Sequence, residues 1–170
     1  MTPKDIQKIL NLKRAWEFVL DNDVAHSPTN YYLLTSISQK VNENDIPDAG
    51  KLRTTPVQIG GSVYKPPIPV ESLVKEQFVD ILKSNKSKID IAIDILCYCT
   101  KSQLFTDGNK RTAVITCNHY LLNNGLGYLS IGFDNDAKFK KLLVDYYENK
   151  NDNLKSFLKK CCFHSIDIKE

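Results

Sequence analysis

The chain has 170 residues, of which 42% are hydrophobic and 25% charged, with a formal net charge of +3. That length suits one domain around one core, residues 1–170, and the composition is ordinary for a globular protein. The charge is too small and the lysines too scattered to argue for nucleic-acid binding, so the basic residues read as a solvated surface. Five cysteines in an odd set with adjacent and i,i+2 pairs (Cys97, Cys99, Cys117, Cys161, Cys162) do not resemble a disulfide framework, and His26, His119 and His164 do not make a zinc signature. A reducing, cytoplasmic setting is the simplest expectation. The opening residues turn polar too early for a signal peptide, and no stretch approaches the roughly 18 apolar residues of a membrane span.

In chain order, Pro3 to Leu20 reads as a helix on the recurrence of Ile6, Ile9, Trp16 and Leu20, widened by Leu12, Phe18 and Val19. Trp16 is read as a core residue. Asn22 to Ser27 reads as a connection. Ser27-Pro28 predicts an N-cap and first helical position for a second helix running to about Asn42, with Leu34, Ile37 and Val41 on one face. Residues 53–69 differ in kind. Val57 and Ile59 alternate with Gln58, Gly60-Gly61 can turn, and Pro66 and Pro67 cannot serve as interior ladder donors, which predicts a hairpin or extended flap leaning on helices. Val70 to Lys83 predicts a helix burying Leu73, Val74, Phe78, Ile81 and Leu82. Ser87 to Ser102, apolar over most of its circumference apart from Asp90 and Asp94, predicts the central helix. A helical pattern follows residues 103–111 and ends at Asn123-Asn124-Gly125. Gly127 to Gly132 reads as a short extended piece. A helix capped by Asp134 or Asn135 runs through Tyr147, and a last one covers Asn151 to Phe163. The fold class is therefore mainly α, with one β-hairpin flap.

The segment Asp107-Gly-Asn-Lys-Arg111 carries candidate chemistry. Gly108 lets the backbone turn tightly and approach a ligand. A helix begins here, so its first N–H groups have no intrahelical partner, and its positive end suits a phosphate. Arg111 offers a forked contact to phosphate oxygens, and Asp107 offers the hard oxygen that Mg²⁺ prefers. The bland alternative is a helix start capped by Asp107 or Asn109, with Lys110 and Arg111 in solvent. The spacing of a P-loop is absent.

Gln103-Leu-Phe-Thr-Asp-Gly-Asn-Lys-Arg-Thr-Ala113 resembles the signature of the Fic/Doc family: histidine, any residue, phenylalanine, any residue, acidic, glycine or alanine, asparagine, glycine or lysine, arginine. Gly50-Lys-Leu-Arg53 and Val57-Gln-Ile-Gly-Gly-Ser-Val-Tyr-Lys-Pro-Pro67 resemble that family's pre-flap turn and target-positioning flap. The resemblance covers about residues 25–125. It implies a Fic/Doc-type helical bundle in which Phe105 anchors the loop and Asp107 binds magnesium. Gly108, Asn109 and Lys110 would then line the anion cradle, and Arg111 would clamp the distal phosphates of ATP. It also implies that a target protein lies along Val57, Gln58, Ile59, Gly60, Gly61 and Tyr64 by backbone pairing. The family's usual reaction moves AMP from ATP onto a protein hydroxyl; a Doc-like branch, found in toxin–antitoxin pairs, transfers the terminal phosphoryl instead.

The chain departs from the pattern at three places. Gln103 stands where the family has its histidine general base, and glutamine cannot accept that proton. Neither His26 nor His119 is a convincing substitute. Val114 stands where many adenylyl-transferring members have a second arginine, which with Lys110 brings the loop closer to the Doc-like form. No inhibitory Ser/Thr-x-x-x-Glu-Gly/Asn segment is found, so either a separate inhibitory partner restrains the protein or none is needed. Three readings stay open: a slow AMP transferase, a Doc-like phosphotransferase toxin, and a non-catalytic nucleotide-binding or interaction module.

Overall fold

The centre of the molecule is a pair of helices, Lys88–Ser102 and Asn109–Asn123, in a computed structural model that describes residues 1–166. The elements in chain order are α1 (Pro3–Leu20), α2 (Asn22–His26), α3 (Tyr31–Val41), α4 (Glu71–Leu82), α5 (Lys88–Ser102), α6 (Asn109–Asn123), β1 (Gly127–Leu129), α7 (Phe133–Tyr147), α8 (Asn153–Phe157), a π-helical turn (Leu158–Cys162) and β2 (Phe163–Ser165). Ile91, Ile93, Ile95, Leu96, Cys97 and Cys99 of α5 are all buried, as expected for a helix surrounded on most sides. Residues from α3, α4, α6, α7 and α8 complete one core around it. A second, smaller core joins Ala15 and Val19 of α1 to Leu33, Ile37 and Val41 of α3 and Ile115 of α6. The five cysteines are free thiols. Burial pushes Cys97 up to about 12. No described helix is long and apolar enough to cross a membrane.

The mainly helical fold with a flap agrees with the expectation; several local readings are corrected. Residues 53–69 leave the helices as an extended excursion that turns at Gly60-Gly61, where Ser62 N–H donates to Ile59 O at 3.2 Å. Its two arms form no hydrogen-bonded ladder; among the described residues the paired strands are β1 and β2, antiparallel with Tyr128 opposite His164. Residue 163 therefore belongs to a strand, and the last helix stops before it. Residues 22–26 are helical, capped by the Asp21 carboxylate. The next helix starts three residues later than predicted. Asn30, not Ser27, is its cap, accepting from Leu33 N–H at 2.9 Å, while the Ser27 hydroxyl donates back to Asp23 O. The cap of α7 is Gly132 rather than Asp134 or Asn135.

The buried face of α1 also differs from the apolar stripe. Ile6, Ile9 and Leu20 are exposed, while Asn11 is fully buried. Asn11 Nδ2 donates to Glu43 O at 2.7 Å and reaches Val41 O at 3.4 Å, satisfying carbonyls at the end of α3. A buried amide that satisfies buried carbonyls outweighs the apolar preference of its helix neighbours. Leu73 of α4 is likewise exposed.

Candidate active site

The connection between α5 and α6 is built from its own side chains. Gln103 ends α5 in the left-handed region (φ 45°), an unusual conformation for a non-glycine residue. Its Nε2 donates to Thr100 O at 2.7 Å, and its Oε1 accepts from Asn109 Nδ2 at 3.2 Å. Leu104 and Phe105 then plunge into the core, 1% and 2% exposed. Asn109 closes the turn: Phe105 N–H donates to Asn109 Oδ1 at 2.9 Å, and Asn109 Nδ2 donates to Phe105 O at 2.7 Å. Phe105 and Asn109 thus hold the loop from inside. Asn109 is mostly buried, so it is a brace for the loop and not a solvent-facing cap.

Gly108 is the N-cap of α6, with φ 72° and no side-chain cap bond. A Cβ here would lie 2.7 Å from Asn42 Oδ1 and 2.8 Å from Val41 Cγ1, so the end of α3 packs directly on this backbone. Asn42 Nδ2 fixes the approach by donating to Asp107 O at 3.0 Å. The first intrahelical bond runs from Thr112 N–H to Gly108 O, which leaves the N–H groups of Asn109, Lys110 and Arg111 at an open, positive helix end. The Asp107 carboxylate spends Oδ1 on Gly108 N–H at 2.6 Å. Its Oδ2 faces two cations, Lys8 Nζ at 3.6 Å and Arg111 Nη2 at 3.8 Å. Arg111 Nη1 is buried and lacks a hydrogen-bond partner.

The flap is fixed at its base and at its tip by charged side chains. Arg53, 3% exposed, donates Nε to Gln103 O at 2.5 Å, Nη1 to Thr55 O at 2.8 Å and Nη2 to Pro67 O at 2.6 Å, with Pro66 O at 3.3 Å. Its backbone N–H donates to Leu104 O at 3.0 Å. One guanidinium thus ties both arms of the flap to the carbonyl end of α5, where the helix dipole favours a cation. Burial pulls its pKa below the free value, though the group stays charged. At the tip, Glu148 Oε1 accepts from the Ser62 hydroxyl at 2.9 Å and from Val63 N–H at 3.0 Å. The Lys150 ammonium, with those two donors, holds the Glu148 carboxyl down at about 2. Glu148 is not visible in any motif, and the signal for Arg53 is its place in the pre-flap turn Gly50-Lys-Leu-Arg53, which does not show what it binds.

A cavity of about 550 Å³ opens between flap, loop and α7, lined by Gln58, Ile59, Gly60 and Gly61 with Gln103 and Lys110. A neighbouring one of about 540 Å³ continues past Lys110 to Arg111, Val114 and the α1 residues Leu12 and Trp16. The structure thus brings four of the six flap residues to the loop. Tyr64 is not among them: its ring stacks on Tyr147 at 6.4 Å and lines a third cavity, about 760 Å³, between the flap, α4 and α5. Val57 lines none of the three. None of the three histidines lines these cavities. His119 is fully buried, its ring nitrogens 2.8 Å from Thr29 Oγ1 and 2.7 Å from Val24 O, and burial lowers its pKa.

The residues fit a phosphate through a helix end with no side-chain cap, the neighbouring Lys110 and an arginine with an unpaired buried nitrogen, whereas the space beside Gly108 is taken by Asn42 and Val41 of the α3 end. They fit magnesium as a single-carboxylate site completed by phosphate oxygens, since Asp107 Oδ2 has only contacts beyond 3.5 Å. No group of three or more His, Cys, Asp or Glu among the described residues could hold a metal without such a ligand.

Comparison with known proteins places the fold. The model of the Fic/DOC family matches residues 28–121, more than half of the chain. Among solved structures, a BepC effector from Bartonella tribocorum with bound AMPPNP superposes with a TM-score of 0.77 at 15% identity, covering 96% of this chain and 87% of that one. The N-terminal Fic domain of a putative cell filamentation protein from Bartonella quintana with bound ADP gives 0.72 at 12% identity, covering 95% and 85%. Fic-1 (residues 134–508) from C. elegans gives 0.71 at 20% identity and 94% coverage, and this chain spans 48% of that structure's length. These likenesses are of fold. No curated protein matches in sequence.

Proposed function

The chain belongs to the Fic/DOC family, and from that premise we propose that it is an ATP- and magnesium-dependent nucleotidyltransferase moving AMP onto a protein hydroxyl, slowed by Gln103. The observation carrying this reading is the open N-terminus of α6 at Gly108, with the unpartnered Nη1 of Arg111 beside it and the flap across the cavity. The nucleotides in the two Bartonella structures, AMPPNP and ADP, point to the same ligand class.

The N–H groups of Asn109, Lys110 and Arg111 receive phosphate oxygens, and the Arg111 guanidinium adds a forked contact. Asp107 would hold the magnesium ion, which when bound would offset negative charge on the phosphates. The extended flap, free of an internal ladder, leaves backbone groups for a target segment to pair with. The target hydroxyl attacks the α-phosphorus, the bond to the bridging oxygen breaks, and pyrophosphate leaves. The hydroxyl proton passes to water or to a phosphate oxygen, because the Gln103 amide, engaged with Thr100 and Asn109, offers no base. Lack of a general base slows such a step by about 10²–10⁴-fold. That same engagement favours a second reading, a nucleotide-binding module without transfer. Restraint by a separate inhibitory partner is compatible with either.

The test offers ATP radiolabelled at the α- or the γ-phosphate to bacterial lysate proteins, with wild type, Gln103→His and Arg111→Ala. Transfer of α-label that rises in Gln103→His and vanishes in Arg111→Ala is the expected result. Transfer of γ-label alone would establish a Doc-like phosphotransferase. Binding of ATP with no transfer by either wild type or Gln103→His would leave the module.

A further inference from the structure

Helix α1 lies outside the segment matched by the family model, yet it brings a charged side chain to the anion cradle. Lys8 Nζ stands 3.6 Å from Asp107 Oδ2, on the carboxylate that Arg111 Nη2 approaches at 3.8 Å. The helix is pinned on either side of it. Asn11 is buried against the end of α3, and Lys4 pairs with Asp45 at 3.5 Å. Lys4, Lys8 and Asn11 therefore share one face at helical spacing. Leu12 and Trp16, one and two turns further, line the cavity that Lys110 and Arg111 also line. Lys8 is thus held at the rim of the cradle by packing that has nothing to do with its own charge.

The charge there is unbalanced. One carboxylate, with one oxygen already taken by Gly108 N–H, faces two cations at ion-pair distances too long for hydrogen bonds. Lys110 has no ion-pair partner among the described residues, Arg111 Nη1 has no hydrogen-bond partner, and the helix end adds further positive potential. We infer that Lys8 is a further polyphosphate-binding residue: its ammonium leaves Asp107 when a nucleoside di- or triphosphate enters, and takes an oxygen of the distal phosphate. Lysine suits the task as a mobile point charge on a flexible stem, and the exchange frees Asp107 Oδ2 for the metal. This rests on the nucleotide reading above.

The test is calorimetric titration of ATP and, separately, AMP into the full chain with magnesium, for wild type, Lys8→Gln, Lys8→Arg, Lys4→Gln and Arg111→Ala. Lys8 is partly exposed, so its replacement leaves the fold intact. Lys8→Gln weakens ATP binding about tenfold, the size of one charge-assisted contact. AMP binding changes little, Lys8→Arg retains most of the ATP affinity, and Lys4→Gln behaves as wild type. Wild-type ATP affinity in Lys8→Gln alongside a loss in Arg111→Ala would overturn the role of Lys8 alone. Equal weakening of ATP and AMP would also overturn it, by showing a structural effect. A wild type that binds no ATP would remove the nucleotide reading and this inference together.

Discussion

The motif loop and the flap face each other across one cavity and are held in opposite ways. The loop is braced from within, by Phe105 in the core and by Asn109 spanning the turn to the Phe105 backbone and to Gln103. The flap has almost no internal bonding; Arg53 at the base, Glu148 at the tip and the packing of Ile59 and Tyr64 on the core hold it where it lies. On the proposed function the difference has a reason: a loop presenting N–H groups to a nucleotide needs local bracing, because small errors misplace the ligand, and a flap pairing with a target needs position without saturation of its backbone groups.

The largest expected break in this comparison is Arg53→Ala. It strips buried donors from the carbonyls of Gln103, Thr55, Pro66 and Pro67, and should lower unfolding free energy by about 3 kcal/mol in denaturant titration. Arg53→Lys should recover little, since one ammonium cannot reproduce the fork. The loop offers the next effect. Gly108→Ala places a methyl against Asn42 and Val41 in a left-handed conformation, and should cost about 1–2 kcal/mol with a parallel loss of ATP binding. The smallest is at the flap tip. Glu148→Ala should leave the melting temperature nearly unchanged, yet speed hydrogen exchange at Val63 N–H. The sign with pH follows from a carboxyl held at about 2 in the folded state, below its ordinary 4.5. The tip contact contributes fully above about pH 4.5 and is lost as pH falls toward 2, so Val63 exchange relative to neighbouring amides should rise over that window. A Val63 amide indifferent to both changes would mean that Glu148 does not hold the tip.

The loop was legible in the sequence and the clamps were not. Gly108 with the helical pattern after it locates the start of α6, and Phe105 as anchor follows from the resemblance and is observed buried. The apolar run over Ser87 to Ser102 likewise located the central helix, which the structure caps at Ser87. Periodicity, capping and turn chemistry are relations between near neighbours, so one stretch of residues carries them whole. Asn11, Lys8 and Glu148 read as ordinary polar residues until the chain is folded, and Arg53, though part of the pre-flap turn picked out by resemblance, gave no sign of the carbonyls it would hold. What sets each apart is a group elsewhere: the bare carbonyls at the end of α5, those after α3, the carboxylate of Asp107, and the N–H of Val63. The pairing of Gly127–Leu129 with Phe163–Ser165 belongs with them, since neither segment alternates enough to announce a partner. The sequence by itself determined the long helices to within a few residues at their ends and the loop that is the candidate phosphate site, but not the short helix at residues 22–26. The tertiary structure decided which polar side chains are buried to hold the flap and which charges meet at the cradle, because a buried hydrogen bond is specified by both ends and packing alone brings those ends together.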